Sequence, residues 1–146
     1  MTFAAVSSST QTLEHNSSAV LDIDTILVND GNGYVVPTEG DPFFQAPVAG
    51  NYQFNATLFF SLATAGLVKF TLLFVNNTTG QIFYVANFQF PASSTDLHTA
   101  TIAGVIPLNK GDTVSLLALN TDDTATLIVG MGATMSGFLI NEKNKC

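Results

Sequence analysis

The alternation of apolar and polar residues between positions 51 and 60 is the feature that most restricts the fold of this chain. Apolar side chains occupy every second position, with polar residues between most of them: Tyr52, Phe54, Ala56, Leu58 and Phe60. Residues two apart lie on the same side of a β-strand, so this segment predicts a strand with one buried face. Comparable segments recur at short intervals and none has helical periodicity. The sequence therefore predicts an all-β sandwich.

Turn-forming residues separate these segments. Clusters rich in Asn, Asp and Gly, which tolerate positive φ angles, stand at 29–33, 76–80, 109–112 and 120–123. The segment from Leu97 to Leu108 is rich in Thr and Ala and has Pro107 near its end. Because proline cannot donate a hydrogen bond to a neighbouring strand, this segment is expected to be an edge or sheet-switching strand.

Two further segments, 67–75 and 82–88, have apolar residues at both odd and even positions. A strand whose outer side faces water should be polar on that side. Apolar residues on both sides predict that the outer side is also covered, most simply by a second copy of the chain. The sequence therefore predicts an oligomer.

The length and composition suit one folded domain. The 146 residues are 47% hydrophobic and only 10% charged, a balance opposite to that of disordered chains. We expect a single domain over 1–146, with a less regular N-terminal strand and loops over 1–19 and a C-terminal tail over 142–146.

The charge balance excludes two classes of partner. The formal charge is −7, with four lysines and no arginine, so nucleic acid and anionic membrane surfaces would repel the chain. No apolar run approaches the roughly 20 residues that cross a bilayer, so no membrane insertion is expected.

Catalytic machinery is not visible in the sequence. His15 and His98 are far apart, and no metal-binding or nucleophile motif accompanies either. The only cysteine is Cys146, which is either an inert tail residue or the site of a disulfide between chains. We therefore expect that the protein is not an enzyme.

Two aspartate pairs, Asp22 with Asp24 and Asp122 with Asp123, offer oxygen ligands for calcium. Neither fits the spacing of an EF-hand, which favours solvated loops over a metal site. We expect that no cofactor is required, and calcium at Asp122 and Asp123 remains an alternative. Four Asn-x-Ser/Thr triplets begin at residues 16, 55, 76 and 77 and would accept glycans only in a secretory pathway.

A set of ordered motifs resembles the globular C1q-like domain of the C1q and tumour necrosis factor superfamily over roughly residues 20 to 141. The segment 27–34 is similar to the family's turn, 43–54 to its phenylalanine and P-x-x-G-x-Y-x-F motif, 104–116 to its G-D-x-V-x-L stretch, and 136–140 to its closing strand. The residues that carry this resemblance are Asn29, Gly33, Tyr34, Phe43 (or Phe44), Pro47, Gly50, Tyr52, Phe54, Gly111, Asp112, Val114, Gly137, Phe138 and Leu139. Val35 and Met135 depart from the family pattern, and the family's frequent internal cysteines are absent.

The resemblance implies a ten-stranded jelly-roll β-sandwich that assembles as a homotrimer. It further implies a secreted, non-enzymatic, lectin-like recognition module that binds glycans or microbial surface ligands through its loop ends. Asn120, Asp122 and Asp123 are the candidate contacts, and a hydrated turn is the alternative for each. A second hypothesis is a structural or adhesive trimeric head that caps a collagen-like or fibrous stalk, as on a bacterial spore or a phage appendage. A cytokine-like receptor ligand is the third.

Overall fold

The computed structural model consists of two antiparallel β-sheets that pack face to face around one hydrophobic core. It describes residues 1–63, 66–93, 96–122 and 124–143. These residues form thirteen strands: β1 (Thr2–Val6), β2 (Gln11–Leu13), β3 (Ser17–Val20), β4 (Thr25–Asp30), β5 (Tyr34–Val35), β6 (Phe43–Gln45), β7 (Gly50–Leu62), β8 (Gly66–Asn76), β9 (Ile82–Ala92), β10 (His98–Leu108), β11 (Thr113–Asn120), β12 (Leu127–Val129) and β13 (Thr134–Glu142).

The first sheet, sheet A, is organised around the long strand β7. One side of β7 pairs with β10, and the other side pairs with β13 and then with β12. Strand β1 lies between β13 and β4, and β2 pairs with β12. Sheet B has the order β5, β6, β11, β8, β9. Strand β3 pairs with the second half of β11, along the same edge of β11 that pairs with β6.

The all-β sandwich expected from the sequence is confirmed. The structure has thirteen strands where ten were expected, and β2, β5, β6 and β12 have only two or three residues each. Among the described residues there is no helix long and apolar enough to cross a membrane.

Alternation along β7 positions the core as expected. Every second side chain from Tyr52 to Leu62 is buried between the sheets. At one end of the core the ring of Phe44 lies 4.9 Å from that of Phe3 and 5.3 Å from that of Phe54. Because Phe3 belongs to β1, the first residues of the chain are an inner part of sheet A and are more regular than the sequence indicated.

A second group of aromatic rings fills the other end of the core. The ring of Phe70 lies 5.1 Å from that of Phe60 and 5.5 Å from that of Phe88. Phe90 and His98 extend this group toward the start of β10, with their rings 4.7 Å apart. These rings support the outer surface of sheet B at the same end of the molecule.

The apolar residues on both sides of β8 and β9 have a different cause from the one expected. A β-bulge places Tyr84 and Val85 of β9 opposite Leu73 of β8, and Tyr84 has a positive φ of 52°. The extra residue changes which positions face the core, so Phe83 and Ala86 both pack inward. Leu73 is only 4% exposed within the single chain. Strand β8 therefore needs little covering by a second copy, whereas Ile82, Tyr84 and Val85 of β9 each remain more than 40% exposed.

Strand β10 lies at the edge of sheet A and pairs only with β7 among the described strands, as the position of Pro107 predicted. Tyr84 connects this edge to sheet B. Its ring lies against Gly104, and its hydroxyl donates a hydrogen bond to the carbonyl oxygen of Val105 at 2.7 Å.

Candidate functional site

The side chain of Asn29 closes the turn over residues 29–34 by forming the pair of hydrogen bonds that a backbone amide would form in a β-ladder. The Asn29 amide nitrogen donates to the carbonyl oxygen of Tyr34, and the Tyr34 N–H donates to the Asn29 amide oxygen, both at 2.9 Å. Gly31 and Asn32 both have positive φ angles, as the turn residues predicted. The Tyr34 hydroxyl donates to the carbonyl oxygen of Ile23, and its burial raises its pKa above the ordinary range. This motif is structural.

Strand alternation decides which side of the sheet two of the motif positions face. Phe44, rather than Phe43, occupies the core, because adjacent residues of β6 face opposite sides and Phe44 packs on Phe3. Phe138 is 45% exposed on the outer side of sheet A. Its neighbour Gly137 faces inward, where a Cβ atom would lie 2.7 Å from the Phe3 ring. Alternation then turns Phe138 outward.

The other motif residues support turns and the core. Tyr52 is buried and donates its hydroxyl to the carbonyl oxygen of Val48 at 2.6 Å, in the turn that contains Pro47. The Asp112 carboxylate accepts hydrogen bonds from the Asn109 N–H and the Asn76 amide. Buried members of the set are Gly33, Tyr34, Gly50, Tyr52, Phe54, Asp112, Val114 and Gly137, whereas Gly111 is exposed in its turn and Asn29, Pro47 and Leu139 are half-buried.

Asn120 is committed to holding its own loop. It is 3% exposed, and its amide nitrogen donates to the carbonyl oxygens of Leu13 at 3.1 Å and Ala125 at 2.8 Å. Its amide oxygen accepts from the N–H of Asp122. These bonds give Asn120 a structural role in its loop, and the residue also lines the hollow formed by β3 and the end of β11. Its role as a ligand contact stays a prediction.

Asp122 continues the same loop. Its carboxylate accepts from the N–H groups of Ala125 at 2.7 Å and Thr124 at 3.0 Å, and these bonds hold the pKa of the carboxyl below its usual range. Asp123 lies outside the described residues. Asn120 is buried and Asp122 is bonded to its own loop, so the alternative of a hydrated turn does not describe Asn120.

The other aspartate pair is also occupied in part. The Ser8 hydroxyl and N–H donate to the two oxygens of Asp24 at 2.7 and 2.9 Å, and the hydroxyl bond lowers the Asp24 pKa most. Partial burial raises the pKa of Asp22, and the neighbouring carboxylates of Asp24 and Asp41 raise it further. Within the described ranges no three His, Cys, Asp or Glu residues form a group that could hold a metal.

The two histidines remain separate. His15 is exposed in the turn before β3, whereas His98 lies between the rings of Phe60 and Phe90 with its Nε2 atom buried and without a hydrogen-bond partner. Cys146 and its expected roles fall outside the described residues.

The outer side of sheet A is uncharged over almost its whole area. Its seven strands contain only two charged residues, Asp30 and Glu142, each at the last position of its strand. Neighbours in register place one row across four strands, in the order Thr2, Phe138, Gln53 and Val105. A second row contains Val28, Ala4, Ser136, Asn55 and Ala103. We refer to these two rows as the uncharged face.

The outer side of sheet B has two adjoining hollows that the sequence interpretation missed. One, of about 320 Å³, is lined by residues of β8 and β9 and by Thr121, and the other, of about 230 Å³, by residues of β3, the end of β11 and again Thr121. Polar residues at alternate positions, Lys69 and Thr71 in β8 and Asn87 and Gln89 in β9, were the available signal. Because apolar residues occupy both odd and even positions of these strands, the alternation of polar residues was not recognised in the sequence.

Two antiparallel sheets connected in this order around a long central strand form a jelly-roll β-sandwich of the C1q and TNF type. The family model for the C1q domain matches residues 2–140, and the chain belongs to this family. The match includes residues 2–19, which the sequence motifs alone had not reached. Domains of the C1q and TNF families are generally non-enzymatic, typically secreted, and typically form homotrimers that bind ligands.

Solved structures share the fold at low sequence identity. The globular domain of zebrafish complement 1qA protein is 17% identical, with a TM-score of 0.61 over 97% of this chain and 98% of its own. Eiger TNF from S. frugiperda is 12% identical, with a TM-score of 0.64 over 99% of this chain and 95% of its own. None of the curated proteins compared with this chain matches it.

Proposed function

We propose that this protein is a secreted, non-enzymatic recognition module that assembles as a homotrimer and binds glycans or microbial surface ligands. The observation that carries the proposal is the uncharged face of sheet A. Its large apolar side chains Val28, Phe138 and Val105 are 39–48% exposed in the single chain, and an apolar surface of this kind is typical of a contact between proteins.

The composition of the uncharged face suits burial between subunits. Phe138 and Val105 supply apolar area, and burying such area stabilises association by about 25 cal/mol per Å² before the costs of association. Gln53 and Asn55 supply amides that can form hydrogen bonds across an interface. Because no charge must be removed from water, the desolvation cost stays low.

The exposed apolar surface continues around the β10 edge. Beyond Val105 it reaches Tyr84, Val85 and Ile82 of β9, each more than 40% exposed. A contact between the uncharged face of one subunit and this edge of the next uses two different surfaces. Such heterologous contacts close into rings when the rotation permits, which supports a trimer in this proposal.

A trimer would present three copies of the same ligand-binding surface. Weak binding at each copy then becomes strong binding to a repetitive target, such as a glycan-coated cell, through the high effective concentration of the second and third sites. This multiplication needs no cofactor, so the proposal includes none as a requirement.

Light scattering at micromolar protein concentration tests the assembly. We expect a particle of three times the 15.4 kDa chain mass. A well-folded particle of a single chain mass would overturn the proposed function at its base.

A glycan array tests the recognition step. The intact chain should retain a defined set of glycans, both with calcium and with a chelator. Binding only with calcium would assign the metal a role, and an absence of binding to any glycan under both conditions would refute glycan recognition while leaving the trimer intact.

A further inference from the structure

A polar groove crosses four strands on the outer side of sheet B, where the two hollows meet at Thr121. Its side chains lie in register. Asn87 of β9, Thr71 of β8, Leu119 of β11 and Ser18 of β3 form one row, since each pairs with the next across the sheet. In the next row Gln89 of β9 pairs with Lys69 of β8, and Thr121, just after β11, bonds to the backbone of Lys69 on the other side. We refer to Lys69, Thr71, Asn87, Gln89, Leu119 and Thr121 as the polar groove.

Several polar groups of the groove are available to a ligand. The Lys69 ammonium is in no ion pair: the only one among the described residues joins the Met1 amine to Asp30. The carboxylate of Asp122 lies near enough to attract the Lys69 ammonium, and its Oδ2 atom accepts hydrogen bonds from its own loop. Asn87 uses its amide oxygen to accept from Thr71, which leaves its amide nitrogen to donate outward. The Gln89 side chain makes no hydrogen bond within the described parts of the chain.

The groove is held in shape before any ligand arrives. The Thr121 N–H and hydroxyl both donate to the carbonyl oxygen of Lys69, at 2.8 and 3.0 Å. The Thr71 hydroxyl donates to the Asn87 amide oxygen at 2.7 Å. Beneath this surface the rings of Phe70 and Phe88 stack at 5.5 Å. A preformed surface reduces the ordering cost of binding.

We infer that the polar groove binds a carbohydrate that carries a carboxylate, such as a uronic acid. This inference rests on the proposed function and assigns its ligand surface and ligand class. Amide and hydroxyl groups match the hydroxyls of a sugar, and the half-buried Leu119 between Thr71 and Ser18 offers an apolar contact for a sugar's C–H groups. Lys69 places one positive charge where a carboxylate would meet it.

The charge of the whole chain limits the ligand further. With a net charge of −7, the protein repels long polyanions at a distance. A neutral sugar chain that bears an isolated acidic residue avoids this repulsion and still contacts Lys69. The two adjoining hollows give room for more than one sugar unit.

The position of the polar groove is compatible with assembly. It lies on sheet B, whereas the uncharged face lies on sheet A, so the two surfaces are on opposite outer sides of the sandwich. The contact proposed for Ile82, Tyr84 and Val85 uses the first residues of β9, and the groove residues Asn87 and Gln89 follow them in the strand. Assembly through these surfaces therefore leaves the groove open in this proposal. Three open grooves per trimer would act together on a surface that displays many acidic sugars.

Surface plasmon resonance on three immobilised ligands tests the inference. The intact protein is passed over surfaces that display glucuronic acid, glucose or glutamate at equal density. We expect binding to glucuronic acid at least about tenfold stronger than to glucose, since a charge-assisted hydrogen bond contributes about that factor. We expect little retention on glutamate, which has the carboxylate without the hydroxyls.

Two matched charge variants identify the groove. Lys69→Gln should weaken binding to glucuronic acid by about tenfold or more, whereas Lys110→Gln, in the exposed turn before the other end of β11, should leave it unchanged. Gln89→Ala should weaken binding to both sugars, because it removes an amide that would bond to a sugar hydroxyl and keeps the Lys69 charge. Circular dichroism confirms that each variant is folded.

Three results would overturn the inference: no binding to glucuronic acid, equal binding by Lys69→Gln and the unchanged protein, or equal binding to glutamate and glucuronic acid. Light scattering on the same samples separates a failure of the groove assignment from a failure of the proposed trimer. A trimer that fails these tests refutes the polar groove alone, whereas a monomer refutes the proposed function.

Discussion

The uncharged face of sheet A and the polar groove of sheet B are both outer sides of strands that alternate in the same way. They differ in what fills the outward positions. On sheet A these are Phe138, Val105 and uncharged amides, whereas at the groove they are Lys69, Asn87 and Gln89 with free hydrogen-bonding groups. The core needs only the inward positions, so the outward positions on the two sheets can serve different partners. We assign one surface to copies of the chain and the other to a ligand.

A charge placed in the uncharged face should have the largest effect. Phe138→Asp removes apolar area and adds a carboxylate that has no partner in an interface, which costs several kcal/mol when buried. We expect the trimer to weaken by at least about a hundredfold, measured as the appearance of monomer in light scattering.

The matched control is Asn87→Asp, which adds the same charge on the exposed side of sheet B. It should remain trimeric, and it retains an oxygen that can accept from Thr71. Monomer formation by both variants, or by neither, would contradict the division between the two surfaces.

Removal of the Asn120 side chain should have the next largest effect, on stability rather than on binding. Asn120→Ala leaves the buried carbonyl oxygens of Leu13 and Ala125 without this donor. We expect the free energy of unfolding to fall by about 3 kcal/mol, measured by chemical denaturation.

Ser18→Ala serves as the control for Asn120, since Ser18 is exposed on the neighbouring strand β3. Its free energy of unfolding should change by less than about 0.5 kcal/mol. If Asn120→Ala were equally mild while sugar binding was lost, Asn120 would be a ligand contact after all.

The pH dependence of the 120–126 loop should show the smallest effect. Hydrogen bonds from Ala125 and Thr124 lower the pKa of Asp122 in the folded chain. Its stabilising contribution is therefore complete above the ordinary carboxyl pKa of about 4 and is lost as the pH falls through the lower folded value.

Thermal unfolding of the unchanged chain and of Asp122→Asn across acidic pH measures this contribution. The unchanged chain should be the more stable of the two at neutral pH, and the difference should narrow below about pH 4. A difference that stays constant with pH would show that the carboxylate charge plays no part in the loop.

The sequence anticipated the inner parts of this molecule better than its outer surfaces. The alternation from Tyr52 to Phe60 and the turn at 29–34 both have the structure expected of them. The oligomer argument from β8 and β9 did not foresee the bulge at Tyr84 and Val85, which turns Phe83 inward and leaves Ile82, Tyr84 and Val85 exposed. A bulge depends on the partner strand, so a single segment does not reveal it.

The hydrogen bonds of two candidate ligand residues were not foreseen for a related reason. Asn120 and Asp122 have the composition of an exposed binding turn, but the turn folds back on β2 and uses their polar atoms. The groove could not be predicted from the sequence, because Lys69 and Thr71 lie in one strand and Asn87 and Gln89 in the next, at least sixteen residues further along the chain. The four side chains come together only when the strands pair.

The sequence by itself determined the class of fold, since strand periodicity, turn residues and the family's ordered motifs are all local patterns. Only the tertiary structure decided which polar side chains are free and which apolar side chains remain exposed. Both properties depend on contacts between residues distant in the chain, such as Asn120 with Leu13 and Gly137 with Phe3. Those contacts exist only after the two sheets have packed.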